Sequence, residues 1–268
     1  MEILGYVAAV LIGLSLGLIG GGGSALAVPV LVYLFHIAPH DAVPDSLFIV
    51  GLASLIGAIS YIYNKKICFK SIAVFGIPSV VTVYFTRSWF SPAIPSQLVI
   101  GSFTISKDVF LLLVFAILML AASFSMIRPI NLDVPESRQN TDRAYPYVQM
   151  ILGGACVGFL AGLVGAGGGF LIIPALVVLA RIPMKTAIGT SLLIIAINSG
   201  IGFSGDQQHA NAIQWPFLLL FSSLSVTGIF AGMYLSRFVS GAKLKPAFGW
   251  FILAIGTFII SQQLWSKH

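Results

Sequence analysis

Long apolar segments make up most of the chain, and they restrict its fold more than any other feature. Val109–Ile127 and 248–260 are helix-length and contain no Asp, Glu, Lys or Arg. A bilayer core about 30 Å thick needs about 20 such residues in a spanning helix. Of the 268 residues, 58% are hydrophobic and 8% are charged, whereas about 25% are charged in a soluble domain. We therefore expect an all-α polytopic integral membrane protein that has the lipid bilayer as its solvent.

The charged residues and cysteines exclude several other classes of protein. The net charge is +6, but in a membrane protein Lys and Arg are expected in cytoplasmic loops, where they set the topology. We therefore expect no nucleic-acid partner. Cys68 and Cys156 are far apart and lie in or beside apolar segments, so neither a disulfide framework nor a cysteine metal motif is expected. No cofactor is predicted.

Two glycine clusters interrupt the apolar pattern at related positions. The sequences GLIGGGGSALAVPVL, at 17–31, and GLVGAGGGFLIIPAL, at 162–176, align when the chain is shifted by 145 residues, and Pro29 then falls on Pro174. The register continues without an insertion from residue 17 to residue 57. We therefore predict three units: a first transmembrane repeat at 1–127, a hydrophilic cytoplasmic linker at 128–146, and a second transmembrane repeat at 147–268.

The distribution of Lys and Arg decides how the two halves are oriented. If each glycine-broken segment were a single span, the halves would be parallel and the basic residues would divide equally between the two sides. If each cluster is instead a hairpin, each half has five segments and the halves are inverted. Arg87, Lys107 and Lys267 then lie outside. The cytoplasmic side receives Lys65, Lys66, Lys70, Arg128, Arg138, Arg143, Arg181, Lys185, Arg237, Lys243 and Lys245.

This bias toward one side is typical of membrane proteins. The sequence therefore predicts two inverted-topology repeats, each with a glycine-broken helical hairpin plus three transmembrane helices. Both termini are expected outside. The hairpin arms are short for a span, so the turns are expected to be re-entrant and to meet near the midplane, buried in protein or beside a wet cavity.

A glycine-rich turn that leads into a helix is suited to binding an anion. The first N–H groups of the helix have no intrahelical partner, and the helix dipole adds partial positive charge there. We expect these helices to begin near Ser24 and near Gly169, with Ser24 as an N-cap or a ligand donor. Close helix packing is the alternative explanation. Two clusters in register, in inverted halves with broken helices, favour a shared binding site.

Neutral polar residues complete the predicted site, because no charged residue lies in the middle of a predicted span. Ser46 and Ser191 are repeat equivalents, as are Ser54 and Ser199. Asp45 is interpreted as a helix cap, with proton coupling as the alternative. The predicted substrate-binding residues are Gly20, Gly21, Gly22, Gly23, Ser24, Ser46, Gly165, Gly167, Gly168, Gly169, Thr190, Ser191 and Asn198.

The paired turns, each followed by an apolar helix with a proline, and the sequence AIGTSL at 187–192 resemble the TauE/SafE family of membrane permeases, or sulfite exporter family. The resemblance covers nearly the whole chain, although the first half has AVPDSL at 42–47 where the second has AIGTSL. The resemblance implies a sulfur-containing anion, such as sulfite or an organosulfonate, as substrate.

The main hypothesis is a secondary transporter of a small anion that works by alternating access in the bacterial inner membrane. No ATP-binding motif is present, so a proton or sodium ion could be the coupling ion. The chain is not expected to be an enzyme, since nothing in the spans resembles the nucleophile and base of a lipid-modifying enzyme. The alternative is a divalent-metal permease that uses the outer-face residues His36, His40, Asp41, Asp206 and His209.

Overall fold

The computed structural model describes residues 2–95, 97–100, 103–127, 147–164, 167–205 and 214–265. The predicted linker, Gly165, Asp206 and His209 lie outside these ranges. Within them, six helices are long and apolar enough to cross a membrane, and four shorter apolar helices accompany them. The chain is therefore a helical, multi-pass integral membrane protein, as its composition predicts.

Five helical segments form the first half. Helices α1 (Glu2–Ile19) and α2 (Gly22–Leu34) are separated by the first glycine turn, and α3 spans Pro39–Tyr63. Helix α4 is continuous through Phe69–Ser71, Ile72–Gly76, Ile77–Phe85, Thr86–Phe90 and Ser91–Ala93. Helix α5 is Lys107–Ile127.

The second half repeats this order of elements. Helix α6 is Tyr147–Val164 and α7 is Gly169–Leu179, with the second glycine turn between them. Helices α8 (Met184–Ser204), α9 (Trp215–Ser236) and α10 (Gly241–Trp265) follow. A shift of 145 residues carries the bounds of α1 onto those of α6. The five segments predicted for each half are therefore present as helices.

Two local features of the first half were not predicted from the sequence. Ile72–Gly76 and Thr86–Phe90 are π-helical turns within α4. Such turns are rare and occur often at functional sites. A short antiparallel hairpin, β1 (Gln97–Ile100) and β2 (Phe103–Ser106), connects α4 to α5, with Gln97 paired to Ser106.

The two helices beside each glycine turn run in opposite directions. In the first half, a Cβ at Gly5, near the start of α1, would overlap the ring of Phe35, which follows α2. A Cβ at Gly23, near the start of α2, would lie 2.5 Å from the Cγ of Leu16, near the end of α1. The same reversal occurs in the second half, where a Cβ at Gly153, near the start of α6, would overlap the side chain of Leu179 at the end of α7, and a Cβ at Gly168 would lie 2.5 Å from the Cβ of Ala161.

Equivalent helices of the two halves also pack in opposite directions. In α3 and α8, a Cβ at Gly51 would lie 2.9 Å from the Cβ of Ser199, and a Cβ at Gly189 would lie 2.7 Å from the Cδ1 of Tyr61. Residue numbers therefore rise along α3 as they fall along α8. Helices α5 and α10 do the same, since Gly249 packs against Ile127 while Gly256 packs near Met119 and Leu120 of α5.

The most buried part of the molecule surrounds the glycine turns. In α7, Phe170, Ile172, Ile173 and Leu176 have no exposed surface, and Ala25 and Leu31 of α2 have none. The outer faces of α4, α5 and α10 carry exposed apolar side chains, including Trp89, Ile117 and Trp250. A belt of exposed apolar side chains around a buried centre is the arrangement expected of a bundle in lipid.

Three local predictions need correction. Arg87 was assigned to an outer loop, but it lies in the second π-helical turn of α4 and is only 7% exposed. Asp45 was interpreted as a cap of α3, but the helix begins at Pro39 with Ala38 as its N-cap, so Asp45 lies within the helix. Ser24 does not cap α2, because the helix begins at Gly22 and its N-cap is Gly21.

Candidate glycine-turn anion site

The glycine turns adopt backbone conformations that other residues rarely adopt. Gly20 in the first turn has φ +80°, and Gly167 and Gly168 in the second have φ +62° and +67°. Only glycine adopts this left-handed region routinely. Gly168 is the N-cap of α7, and its carbonyl accepts hydrogen bonds from the N–H groups of Leu171 and Ile172. The second turn thus presents two successive left-handed glycines at a helix N-terminus.

The two turns are in direct contact with each other. A Cβ at Gly21 would overlap the carbonyl of Gly169, and a Cβ at Gly169 would lie 3.2 Å from the Cα of Gly21 and 2.7 Å from the Oγ of Ser24. The starts of α2 and α7 therefore meet in the interior. This close approach also fits the packing explanation of the glycines.

Three of the predicted serines hydrogen-bond to the backbone of their own segment. The hydroxyl of Ser24 donates to the carbonyl of Gly21 at 2.7 Å, and that of Ser46 to the carbonyl of Val43 at 2.7 Å. The hydroxyl of Ser191 donates to the carbonyl of Ile188 at 2.8 Å. All three side chains are fully buried. Ser46 and Ser191, which are repeat equivalents, therefore make equivalent bonds to the carbonyl three residues earlier.

Thr190 lies at the end of the bundle that also contains the loop after α3. Its Oγ1 accepts a hydrogen bond from the backbone N–H of Cys68 at 3.0 Å. Close by, a Cβ at Gly189 would lie very near the carbonyl of Lys66. Thr190 thus bonds to this loop, and it lies two residues after Ile188, whose Cα would lie 3.0 Å from a Cβ at Gly20 of the first turn.

Asn198 and Ser199 supply unsatisfied polar atoms beside the second turn. The Nδ2 of Asn198 donates to the Oγ of Ser79 in α4 at 2.8 Å. Within the described residues, the Oδ1 of Asn198 and the Oγ of Ser199 have no hydrogen-bond partner, and both side chains are fully buried. A Cβ at Gly167 would lie 2.5 Å from the Oγ of Ser199. Unsatisfied buried groups are costly, so they call for an explanation.

The first turn has a more apolar environment. A Cβ at Gly22 would lie 3.4 Å from the Cε1 of Phe251 and 3.5 Å from the Cε2 of Phe248, both in α10. Ser54, the repeat equivalent of Ser199, is fully buried, and its Oγ also has no partner in the part of the chain that is described. The repeat equivalents of Asn198 and Ser79, however, are Ala53 and Leu224. The polar pair is therefore specific to the second turn.

The residues of the metal hypothesis are only partly described. The Nε2 of His40 and the Oδ2 of Asp41 lie 3.4 Å apart at the start of α3. His36 has φ +55°. No group of three or more His, Cys, Asp and Glu residues suited to a metal ion occurs among the described residues. Asp206 and His209 are outside them.

A surface cavity of about 550 Å³ lies elsewhere, between the first residues of α1 and the first residues of α9. It is lined by Tyr6, Gln214, Trp215, Pro216, Phe217 and Leu220. Tyr6 is fourteen residues before Gly20, about 20 Å along a helix. The cavity is therefore separate from the glycine turns.

Two buried polar residues, Ser79 and Arg87, were not predicted from the sequence. Ser79 bonds to Asn198 although 119 residues separate them. Its place directly after Pro78, inside an apolar span, was a weak signal for a polar contact. Arg87 was read only as a topology signal, whereas its burial depends on packing against the end of α8, where a Cβ at Gly205 would lie 3.5 Å from that of Arg87.

Comparison with known sequences identifies the family. The sequence profile described as Sulfite exporter TauE/SafE matches residues 6–259. The chain belongs to the TauE/SafE sulfite exporter family. Proteins of this family that resemble the chain are named as membrane transporters, which indicates a transporter rather than an enzyme. The comparison with solved structures found no match.

Three relatives illustrate the similarity. A protein of Xylella fastidiosa named "Probable membrane transporter protein" is 28% identical, covering 93% of this chain and 91% of its own length. YunE of Bacillus subtilis, named "Probable membrane transporter protein YunE", is 30% identical over 81% of this chain and 83% of its own length. MJ0441 of Methanocaldococcus jannaschii, also named as a probable membrane transporter protein, is 30% identical over 71% of this chain and 68% of its own length. The likeness thus extends over most of each chain.

Proposed function

We propose that this TauE/SafE transporter moves a small anion, a sulfur oxyanion such as sulfite or an organosulfonate, by alternating access. The observation that carries the proposal is the second glycine turn, where left-handed Gly167 and Gly168 lie beside the unsatisfied hydroxyl of Ser199. Backbone N–H groups and a hydroxyl can hold an anion without a charged side chain. The sulfur specificity rests on the family's name.

The proposed arrangement in the membrane is an inverted repeat with re-entrant hairpins. It is supported by the opposite directions of α3 and α8 and of α5 and α10, which are repeat equivalents. The bond from the Cys68 N–H to Thr190 supports it too, because it joins the end of α3 to the start of α8. Repeat units at 1–127 and 147–268, joined by a cytoplasmic linker, would then place both termini outside the bacterial inner membrane.

The proposed binding site centres on the contact between the two turns. Gly20–Gly23 and Ser24 form its first side, and Gly165, Gly167, Gly168 and Gly169 form its second. Asn198 is proposed as a direct ligand, with Ser199 beside it. Ser46, Thr190 and Ser191 are proposed to shape the helices around the site, since their hydroxyls already bond to the backbone.

Transport requires the two turns to separate. In the described conformation the Cα of Gly21 and the position of a Cβ on Gly169 are only 3.2 Å apart, which leaves no room for an oxyanion between them. Movement of the hairpins α1–α2 and α6–α7 against α3 and α8 would open the contact alternately to each side. A proton or sodium gradient is proposed as the energy source.

Reconstitution into proteoliposomes tests this function. We expect flux of labelled sulfite with the unaltered chain and loss of flux in Gly167→Val, whose side chain would collide with Ser199 and Ile195. Gly200→Ala is the matched control, because a Cβ at Gly200 meets nothing within 4 Å. Insertion of each variant is checked by its yield and elution profile in detergent. Flux in Gly167→Val equal to that of the control would contradict the proposal.

A further inference from the structure

The polar atoms at the second turn differ in what they can offer a ligand. The Ser199 hydroxyl can donate or accept, and backbone N–H groups donate. An amide oxygen only accepts. Because the Nδ2 of Asn198 donates to Ser79 at 2.8 Å, the atom of this side chain left without a partner in the described residues is the acceptor Oδ1. The buried surroundings of the turn therefore combine donors with one fixed acceptor.

Ser79 and Asn198 lie close to the second turn. A Cβ at Gly158 of α6 would lie 2.7 Å from the Cα of Ser79. Three residues later, about 5 Å along α6, Ala161 contacts Gly168 of the turn. Asn198 is also adjacent in α8 to Ser199, whose hydroxyl contacts Gly167. Ser199 thus contacts the second turn, and we take the Oδ1 of its neighbour Asn198 to face an anion bound there.

A buried acceptor discriminates between oxyanions. An oxygen that carries a proton can donate to the Oδ1 of Asn198, whereas an oxyanion without a proton would set two acceptors against each other. We infer that the second turn selects a monoanionic oxyanion that retains one O–H group, such as hydrogen sulfite, over sulfonates and over fully deprotonated dianions. Because the second turn is the proposed anion site, this specificity rests on the proposed function.

Ser79 is the positioning residue for this selection. Its hydroxyl, fully buried between the two π-helical turns of α4, accepts the Nδ2–H of Asn198 and so fixes the direction of the amide. Without Ser79 the amide could rotate and present either Nδ2 or Oδ1 to the ligand. The repeat equivalent of Asn198 is Ala53 in the first half, and that of Ser79 is Leu224 in the second half, so no equivalent polar pair exists. The selection therefore belongs to the second turn and has no counterpart at the first.

Two probes of equal charge and similar shape test the inference. Methylphosphonate with one proton has an O–H group, and methanesulfonate has none. Their binding to the full-length, detergent-purified protein is measured by calorimetry at one pH at which methylphosphonate is a monoanion, with sulfite as a third ligand. We expect methylphosphonate to bind on the order of tenfold more tightly than methanesulfonate, because the sulfonate would leave the buried acceptor unsatisfied.

Variants separate positioning from folding. In Ser79→Ala and Asn198→Leu the ratio of the two affinities is expected to fall toward one, whereas a purely structural defect would weaken both ligands together. Ser222→Ala is the control, since Ser222 in α9 is equally buried and its Oγ also has no partner in the described ranges. It should leave the ratio unchanged.

Each result of the binding experiment either supports or overturns the inference. A tenfold preference that is lost in Ser79→Ala supports the inference. Equal binding of the two probes, or tighter binding of methanesulfonate, overturns it while the transport proposal stands. If neither probe nor sulfite binds, the proposed anion site falls together with the inference.

Discussion

Alanine substitutions at two glycines of the aligned clusters should have very different effects on stability. Gly22 and Gly167 are repeat equivalents, so sequence alone would assign them the same importance. Gly167 has φ +62°, and its Cβ would lie 2.5 Å from the Oγ of Ser199 and 3.3 Å from the Cγ2 of Ile195. Gly22 lies in the first turn of α2, where a Cβ would meet only ordinary contacts at 3.4 Å and beyond.

The magnitudes follow from these two environments. A non-glycine residue in the left-handed region costs about 1–2 kcal/mol, and forcing extra volume into a packed site adds about 1–3 kcal/mol. We therefore expect Gly167→Ala to lower the free energy of unfolding by about 2–5 kcal/mol. Gly22→Ala should leave it unchanged or raise it by up to about 1 kcal/mol, because alanine is the better helix former.

Unfolding in a single detergent measures the difference. Thermal midpoints are compared for the unaltered chain, Gly22→Ala, Gly167→Ala and Gly200→Ala, the last being a helical glycine with open space around it. The expected order places Gly167→Ala well below the other three. A destabilisation of Gly22→Ala equal to that of Gly167→Ala would refute the reasoning, since it would mean that the two turns are sterically equivalent.

Three further predictions concern topology and packing. In a chain whose native cysteines are replaced by serine, Asn64→Cys and Lys185→Cys should both react with an impermeant maleimide from one side of the membrane; labelling from opposite sides would contradict inverted halves. Arg181 has a left-handed φ of +51°. Arg181→Gly should therefore raise the free energy of unfolding by up to about 1 kcal/mol, seen as a higher thermal midpoint, and a lower midpoint would contradict this. Phe35 makes edge-to-face contacts with Tyr6, Phe217 and Phe221, so Phe35→Ala should cost about 2–4 kcal/mol. Phe238→Ala, at a residue 74% exposed, should cost much less in the same thermal measurement, and an equal loss would count against the packing argument.

The helices could be predicted because their signals are local. Apolar length predicted the spans, and the aligned glycines predicted where α1 and α6 end. The shift of 145 residues predicted two related halves, and it carries the observed bounds of α1 onto those of α6. The glycine clusters also predicted turns that allow left-handed backbone, which Gly20, Gly167 and Gly168 adopt, although Gly21 has φ −131°. Each of these features depends on a few neighbouring residues, which a sequence displays directly.

The site could be predicted only in part, because its details depend on packing between distant segments. Thr190 and Asn198 are both fully buried polar residues in α8, yet Thr190 accepts a bond from the loop N–H of Cys68 and Asn198 donates to Ser79 in α4. Helical spacing alone could not tell these two apart. The burial of Arg87 also depends on contacts that involve α8. These distinctions require the three-dimensional arrangement of the two halves.

Sulfite binding by a matched pair of serine variants tests the account most directly. Ser199 and Ser54 are repeat equivalents and equally buried, but only Ser199 lies beside the polar pair of the second turn. The account predicts that the unaltered protein binds sulfite and that Ser199→Ala weakens the affinity on the order of tenfold, the effect of losing one hydrogen bond to a charged group. Ser54→Ala should change the affinity for sulfite less than about threefold, because no hydrogen bond to the anion is lost. Undiminished binding by Ser199→Ala, or an equal loss in both variants, would contradict an anion site at the second turn.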